Sequence, residues 1–227
     1  MRKLVLAVVA LTIVLTGCRG GSDPAPSDLS PEERLAEAER NLDAADFISF
    51  TLKATSLPDG LEGLLSAKGT GTHAPAFTGE VQVQQSSVPL TAPLIAVGGT
   101  VYAKLPFVGW SVLDPAAFGA PDPADLLARE GGISSLLAAT TDLREGDSER
   151  TGEQILTAID GTLPGTAMQS VFPSAGSEDF TVIYTLTDDN NLSGVEITGP
   201  FYPDAADVTY RIDLDVDAES VDIQAPI

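Results

Sequence analysis

Cys18 is the only cysteine of the chain, and its setting predicts a covalent modification of its thiol. It ends the tetrapeptide Leu15-Thr16-Gly17-Cys18, which closes an apolar run over residues 4–15 behind the basic pair Arg2 and Lys3. Such a run suits the apolar region of a signal peptide and is too short for a transmembrane helix, which needs about 20 residues. The tetrapeptide has the form of a bacterial lipobox, so we expect cleavage before Cys18 and attachment of a diacylglyceryl group, with acyl chains such as palmitate, to its sulfur.

The lipobox divides the chain into a leader, an anchor and a folded part. We predict a signal peptide over residues 1–17, a lipidated Cys18 with a flexible tether over residues 18–29, and a single domain over residues 30–227. The tether is rich in Gly, Pro and Ser, and its 11 residues from Arg19 to Leu29 reach at most about 35 Å. We therefore expect an extracytoplasmic, periplasmic protein that is anchored to the outer face of the cytoplasmic membrane. The alternative is an ordinary secretory leader with an incidental cysteine.

Residue types that catalysis and metal binding require are scarce in this chain. His73 is the only histidine, and no G-x-S-x-G occurs, so a Ser-His-Asp site is disfavoured. Zinc sites need clusters of His and Cys, which are too few here. The segment Asp213-Leu-Asp-Val-Asp217 resembles half of a calcium loop, but its alternation of Asp with Leu214 and Val216 predicts a strand with the aspartates facing water. We predict no enzymatic activity, no metal and no cofactor.

One glycine pattern also needs an interpretation. Residues 69–74, Gly-Thr-Gly-Thr-His-Ala, fit a loose G-x-G-x-x-A. A dinucleotide site requires a helix directly after the glycines, and Pro75 with a second strand pattern follows instead. We therefore discard a nucleotide site at this position.

The charge of the chain excludes further classes of partner. After loss of Arg2 and Lys3 with the leader, 10 basic and 33 acidic residues remain, which gives a net charge of −23. Such a chain repels nucleic acid and anionic head groups, so nucleic acid is excluded as a partner. The acidic residues are spread among apolar ones, and a hydrophobic content of 43% supports a folded domain. We expect no disulfide, because the only thiol of the chain carries the lipid. We also expect a monomer.

The elements that position any site begin with a helix and continue as strands. Ser30 is the predicted N-cap, Pro31 the first helical residue and Glu33 the partner in a capping box, with helical spacing to about Asp46. Strand patterns with a period of two follow, separated by turn residues. They cover residues 47–57, 61–72, 76–85, 90–97, 100–105, 110–113, 143–163 (as more than one strand), 180–187, 192–198 and 208–216. This order predicts the α+β class, a large antiparallel sheet with helices on one face.

Short apolar helices are predicted at residues 124–129, 133–140 and 164–172, between strands. They permit two interpretations. Either they fill the core of the sheet, or they cover the sheet and leave an apolar cavity beneath them. From composition alone an ordinary core is the simpler of the two.

Several segments, in order, resemble the LppX/LprG family of actinobacterial lipoproteins. They are residues 57–60 (Leu-Pro-Asp-Gly), 64–71, 76–81, 101–106 before Trp110, Asp122-Pro123 before the helix at 132–137, and 199–203 (Gly-Pro-Phe-Tyr-Pro). The succession of lipobox, tether, amphipathic helix, long sheet and short helices is also similar. The resemblance covers nearly all of the mature chain.

The resemblance implies a fold and a function. The fold is a strongly curved antiparallel sheet, a half-barrel, with short helices on its concave face that enclose an apolar cavity. The function is binding of acylated glycolipids, phospholipids or triacylglycerols and their carriage from the cytoplasmic membrane towards the outer cell envelope, with a membrane lipid exporter as a further partner. By resemblance, and by alternation along the same strands, the expected cavity residues are Val81, Val83, Leu90, Ala92, Leu94, Ala96, Val101, Ala103, Ile133, Leu136, Leu137, Met168 and Val171.

A second function remains open. An envelope lipoprotein with a filled core can act through its acidic surface as a protein-interaction or transporter-accessory module. Absence of bound lipid and of a cavity favours that alternative.

Overall fold

The computed structural model describes residues 29–58, 60–118, 120–203 and 205–227, which form one antiparallel sheet with three short helices. The strands are β1 (Ile48–Ser56), β2 (Gly63–Thr72), β3 (Ala76–Gln85), β4 (Val88–Val97), β5 (Thr100–Leu105), β6 (Gly109–Leu113), β7 (Thr141–Thr151), β8 (Gln154–Leu163), β9 (Phe180–Leu186), β10 (Leu192–Gly199) and β11 (Val208–Asp215). The helices are α1 (Pro31–Ala44), α2 (Ile133–Ala139) and α3 (Gly165–Val171). The predicted signal peptide, Cys18 and the tether up to residue 28 lie outside the described residues.

Two antiparallel meanders meet in the middle of the sheet. The strand order is β6-β5-β4-β3-β2-β1-β11-β10-β9-β8-β7, and the sheet does not close on itself. Every neighbouring pair is antiparallel. The chain therefore runs outward from β1 to the edge strand β6, passes to the other edge through residues 114–140, and returns from β7 to β11 beside β1. The predicted α+β class with an open antiparallel sheet is confirmed.

The strands separate an inner face from an outer face. In β9 and β11 every second residue is buried, and these residues join one hydrophobic core. In the other half of the sheet the pairs Val81↔Ala92 and Leu94↔Ala103 share the inner face. Side chains from β1 through β6 converge on one cavity with the segment that follows β6, so the inner face is concave.

The capping box predicted for α1 is confirmed. The Ser30 hydroxyl accepts the backbone N–H of Glu33, and the Glu33 carboxylate accepts the backbone N–H of Ser30. The helix buries Leu35, Ala38 and Leu42. None of the helices in the described ranges is long and apolar enough to cross a membrane.

Helix α1 lies across one end of the sheet. The Asn41 side chain donates to the carbonyls of Asp189 and Asn190 in the β9–β10 turn. The Leu42 carbonyl oxygen lies 2.8 Å from Nε2 of His73 in the β2–β3 turn. Both turns are at the same end of the sheet, because the ends of β2 and β11 lie beside the starts of β1 and β10. We call this the helix end of the sheet.

The segment 114–132, which follows β6, is less helical than its sequence predicts. Its described residues form only two short 3-10 turns, at Pro115–Phe118 and Asp125–Leu127. The helix predicted at 124–129 is therefore wrong. The Asp122 carboxylate accepts the backbone N–H of Ala124 and starts a turn there, and the backbone at Ala128 is already extended.

The two edge strands differ in chemistry. Strand β7 is charged along its length, with Asp142, Arg144, Glu145 and others, and its register against β8 shifts twice. Charge and irregularity are devices that prevent an edge from pairing with another chain. Strand β6, with the sequence Gly-Trp-Ser-Val-Leu, is short and has no charged residue.

Candidate functional site

A cavity lies on the concave face between strands β1–β6 and residues 115–126. The described residues of its wall are all aliphatic or proline. The sixteen lining residues are Leu52, Leu64, Ala67, Val81, Val83, Leu90, Ala92, Leu94, Ala103, Leu105, Leu113, Pro115, Ala120, Pro121, Pro123 and Leu126. These side chains offer no hydrogen-bond donor or acceptor, so the cavity suits apolar groups.

This larger cavity is open at one end. Its volume is about 110 Å³, and about 810 Å³ of empty space lies between its walls when the mouth is included. Leu90 and Leu105 lie at the mouth, with 47% and 37% of their surface exposed, whereas Leu94 and Ala103 are buried deeper inside. Exposed leucines at an opening give an apolar ligand a continuous path from the surface to the interior.

Six of the thirteen residues expected to line a cavity are brought together here. Val81 and Val83 come from β3, Leu90, Ala92 and Leu94 from β4, and Ala103 from β5. Alternation in neighbouring strands places all six on the inner face. Ala92 and Ala103 leave space in the wall because their side chains are small.

A second, smaller cavity lies under the helices. Its volume is about 40 Å³, or about 620 Å³ of empty space with its opening. Four further expected residues line it, Ile133 and Leu136 from α2 and Met168 and Val171 from α3. The rest of its wall comes from β1, β9, β10 and β11 and from the segments around them: Phe50, Leu52, Pro121, Leu126, Phe172, Tyr184, Val195, Ile197, Phe201, Tyr210 and Ile212.

The two cavities share a partition. Leu52, Pro121 and Leu126 line both of them. Leu52 belongs to β1, and the other two belong to the segment 114–132, which has little regular structure. These three side chains therefore stand between the two cavities on the concave face.

Three expected residues line neither cavity. Ala96, Val101 and Leu137 are buried in the core. Ala96 pairs with Phe77, whose buried ring stacks on Phe50 at a centroid distance of 5.3 Å. This aromatic pair fills the helix end of the concave face, so the space beside Ala96 and Val101 is occupied.

The glycines of the discarded nucleotide pattern have a packing role. A side chain at Gly69 would collide with the Phe77 ring, and one at Gly71 would collide with Leu127. The paired glycine on β3, Gly79, is held against the same ring. These positions therefore let two large apolar side chains lie flat on the sheet.

Polar atoms near the smaller cavity are paired with protein groups. The Tyr184 hydroxyl lies 2.7 Å from Oγ1 of Thr140, and the Tyr210 hydroxyl donates to the Leu64 carbonyl at 2.7 Å. The Tyr202 hydroxyl accompanies that of Tyr210 at 2.7 Å. Burial raises the pKa of all three phenols, so they stay neutral.

His73 is held by backbone carbonyls and lies outside both cavities. Its Nδ1 lies 2.6 Å from the Leu127 oxygen and its Nε2 lies 2.8 Å from the Leu42 oxygen. Both partners are acceptors, so only a doubly protonated ring donates to both. The residue joins α1 to the segment 114–132. Among the described residues no group of three or more His, Cys, Asp or Glu is arranged to hold a metal ion.

Sequence reasoning missed the cover of the larger cavity. Pro115, Ala120, Pro121, Pro123 and Leu126 close it from above. The prolines at residues 115, 121 and 123 favour an extended segment over a helix, and in the structure this segment covers the cavity. Leu52, Leu64 and Ala67 were missed too, although alternation along β1 and β2 places them on the inner face.

Comparison with known proteins identifies similar sequences and structures. The model of the LppX_LprAFG lipoprotein family matches residues 30–223. The structure of LprF from Mycobacterium bovis superposes with a TM-score of 0.71 at 15% identity, covering 86% of this chain and 96% of that one. The Mycobacterium tuberculosis lipoprotein LppX superposes with a TM-score of 0.62 at 18% identity, covering 87% of this chain and all of that one. Comparison with curated protein sequences gives no significant match.

Proposed function

The chain belongs to the LppX_LprAFG lipoprotein family, and from that premise we propose that it binds the acyl chains of envelope lipids in the apolar cavity and carries them. The observation that supports this most is the cavity wall, whose sixteen described residues include no polar side chain. The proposed cargo is an acylated glycolipid, phospholipid or triacylglycerol, moved from the cytoplasmic membrane towards the outer envelope. No covalent step is involved.

The energetics favour a carrier of this kind. Exposing a hydrocarbon chain to water costs about 0.8 kcal/mol per CH₂, so a dry sheath removes most of the barrier to transfer. The enclosed volume of about 110 Å³ is smaller than a typical ligand pocket of roughly 300–1,000 Å³. A full chain therefore requires the cavity to widen, and displacement of the partition made by Leu52, Pro121 and Leu126 gives access to the second cavity.

We also infer that Cys18 carries the lipid anchor and that residues 1–17 are removed. The lipobox sequence supports this. Two or three acyl chains on one cysteine give stable attachment, whereas one chain gives only weak attachment. Metabolic labelling with a palmitate analogue tests the inference: Cys18→Ser should abolish labelling and release the protein from the membrane fraction. Labelling that survives the substitution contradicts it.

Lipid binding is tested with the form that starts at Arg19 and lacks Cys18. We expect detergent-free purification followed by solvent extraction and mass spectrometry to yield a diacyl or triacyl lipid in about one copy per protein. Val81→Trp should abolish recovery, because an indole fills the cavity from the β3 side. The empty space beside Val81 accommodates the ring, so the protein should stay folded.

Gln82→Trp is the matched control, because residue 82 is the next residue on β3 and faces outward. It should keep the lipid. A clean extract from the folded parent protein that also takes up no added lipid contradicts the carrier function. It favours instead the protein-interaction module, and a transporter or lipid exporter is then the partner to seek.

A further inference from the structure

The segment from β3 to β6 differs in charge from the rest of the molecule. The chain has 33 acidic residues among 227, about one in seven, yet residues 81–113 contain none. Lys104 is the only charged residue in that range. Residues 81–113 themselves therefore contribute no carboxylate, and the Glu62 carboxylate in the β1–β2 loop accepts the backbone N–H and the hydroxyl of Ser86 in the β3–β4 turn. Repulsion of an anionic surface is weaker over this stretch than over the acidic remainder.

The turn between β5 and β6 exposes large apolar side chains. Phe107 is fully exposed and Val108 is 71% exposed. Phe107 has a φ of +64°, a left-handed conformation that disfavours a phenylalanine. The side chain thus contributes no packing to the fold and occupies an unfavourable backbone position. We call Leu105, Phe107 and Val108 the apolar tip.

The apolar tip lies beside the mouth of the larger cavity. The β3–β4 and β5–β6 turns are at the same end of the sheet, opposite the helix end, because β4 and β5 are antiparallel. Val88 and Leu90 at the start of β4 are also about half exposed. Leu90 and Leu105 line the cavity itself, so the tip and the mouth form one apolar surface.

The outer face behind the tip has the residue types of a membrane interface. The cross-strand pairs Lys104↔Trp110 and Tyr102↔Val112 lie there. Tryptophan and tyrosine favour the level of lipid head groups, and a lysine can extend its ammonium into water while its stem stays in an apolar layer.

We propose that the apolar tip inserts into the surface of a lipid bilayer and holds the cavity mouth against it. This rests on the proposed function, since it names the surface with which the cavity exchanges cargo. The exposed side chains protrude from the surface, and a lipid bilayer can accommodate such side chains because its lipids rearrange around them. Residues 81–113 contain no acidic residue and place one lysine, Lys104, at the head-group level. This stretch therefore suits a lipid surface better than the acidic remainder of the molecule does.

The single tryptophan of the chain, Trp110, allows a direct test, because it lies on β6 just behind the tip. The acylated full chain is reconstituted in phosphatidylcholine vesicles and mixed with a second set of phosphatidylcholine vesicles. Brominated phosphatidylcholine, which quenches indole fluorescence on contact, is placed in one set or the other. We expect quenching from one of the two sets, little changed by salt because insertion is apolar.

The double variant Phe107→Asn/Val108→Ser removes the apolar side chains and should lower the inserted fraction by about tenfold or more. Asparagine tolerates the left-handed conformation, so the variant should unfold at the same temperature as the parent or higher. Ile227→Ser, a similarly exposed apolar residue in the segment after β11, is the matched control and should leave quenching unchanged.

Extraction of the same samples separates this inference from the carrier function. The double variant should retain its lipid, because its cavity is intact; a parent protein without lipid that still shows tip-dependent quenching overturns the carrier function alone. No quenching from either vesicle set, or equal quenching in the double variant, overturns the membrane tip. A tip-dependent dimer or protein complex without quenching assigns the surface to a protein and also overturns it.

Discussion

Three buried tyrosines on the concave face predict how stability depends on pH. Burial raises the pKa of Tyr184, Tyr202 and Tyr210 above the usual value near 10. Because the pKa of each tyrosine is higher in the folded than in the unfolded chain, the contribution of the protonated tyrosines to the unfolding free energy is complete below about pH 10. It is lost as the pH rises above about 10. Above pH 10 the unfolding free energy should then fall by at most about 1.4 kcal/mol per pH unit for each tyrosine that is ionised in the unfolded chain and still protonated in the folded one.

Urea unfolding between pH 9 and pH 12, with phenolate absorbance followed in parallel, checks this expectation. The phenolate signal of the three tyrosines should appear together with unfolding. If all three tyrosines ionise while the protein is still folded, their hydroxyls are not buried and hydrogen-bonded as described, Tyr184 to Thr140 and Tyr210 to the Leu64 carbonyl.

At the scale of elements, local rules account for most of what the sequence predicts correctly. The capping box fixes the start of α1. The Gly98-Gly99 pair, with φ of +61° and +71°, forms a tight hairpin between the strands predicted at 90–97 and 100–105. Alternation in β3 and β4 assigns Val81 and Leu94 to the inner face without any knowledge of the fold.

What the sequence does not predict is the long-range arrangement. Ala96 and Val101 share the periodicity of the cavity residues, yet the Phe50–Phe77 pair occupies the space they face. Periodicity identifies a face and carries no information on which part of that face is filled. Packing of the segment 114–132 over the cavity likewise depends on contacts between residues distant in sequence.

His73 links two elements that cover the concave face, and its removal should loosen both. We expect His73→Ala to cost about 1–3 kcal/mol, because the Leu42 and Leu127 carbonyls lose a partner. Hydrogen exchange should accelerate in α1 and in residues 124–139 more than in the strands. Arg129→Ala is the control, since exposed Arg129 also bonds to α1, at the Asp43 carbonyl, and should cost less. Uniform acceleration across the sheet contradicts this role.

At the scale of the whole molecule, a ligand that enters the cavity must stabilise the fold. With lysophosphatidylcholine as a soluble probe at about 100 times its Kd, mass action adds about 2.7 kcal/mol, or a rise in Tm of about 5–10 °C. Val81→Trp should abolish the rise, and Gln82→Trp should keep it. Scanning calorimetry measures both, and an unchanged Tm in the parent protein argues against a ligand in the cavity.

Helix α1 and the apolar tip lie at opposite ends of the sheet, and this arrangement limits how the cavity mouth can be oriented relative to the proposed membrane anchor. A ten-residue strand such as β3 is about 33 Å long, and the 11-residue tether before α1 reaches at most about 35 Å. With the anchor that we propose at Cys18, the tip would reach the anchoring membrane only if the tether were almost fully extended along the full height of the sheet. Turned the other way it needs no extension at all. On the proposed anchor, we therefore expect the cavity mouth to face away from the membrane that holds the protein. The vesicle set that quenches Trp110 tests this orientation.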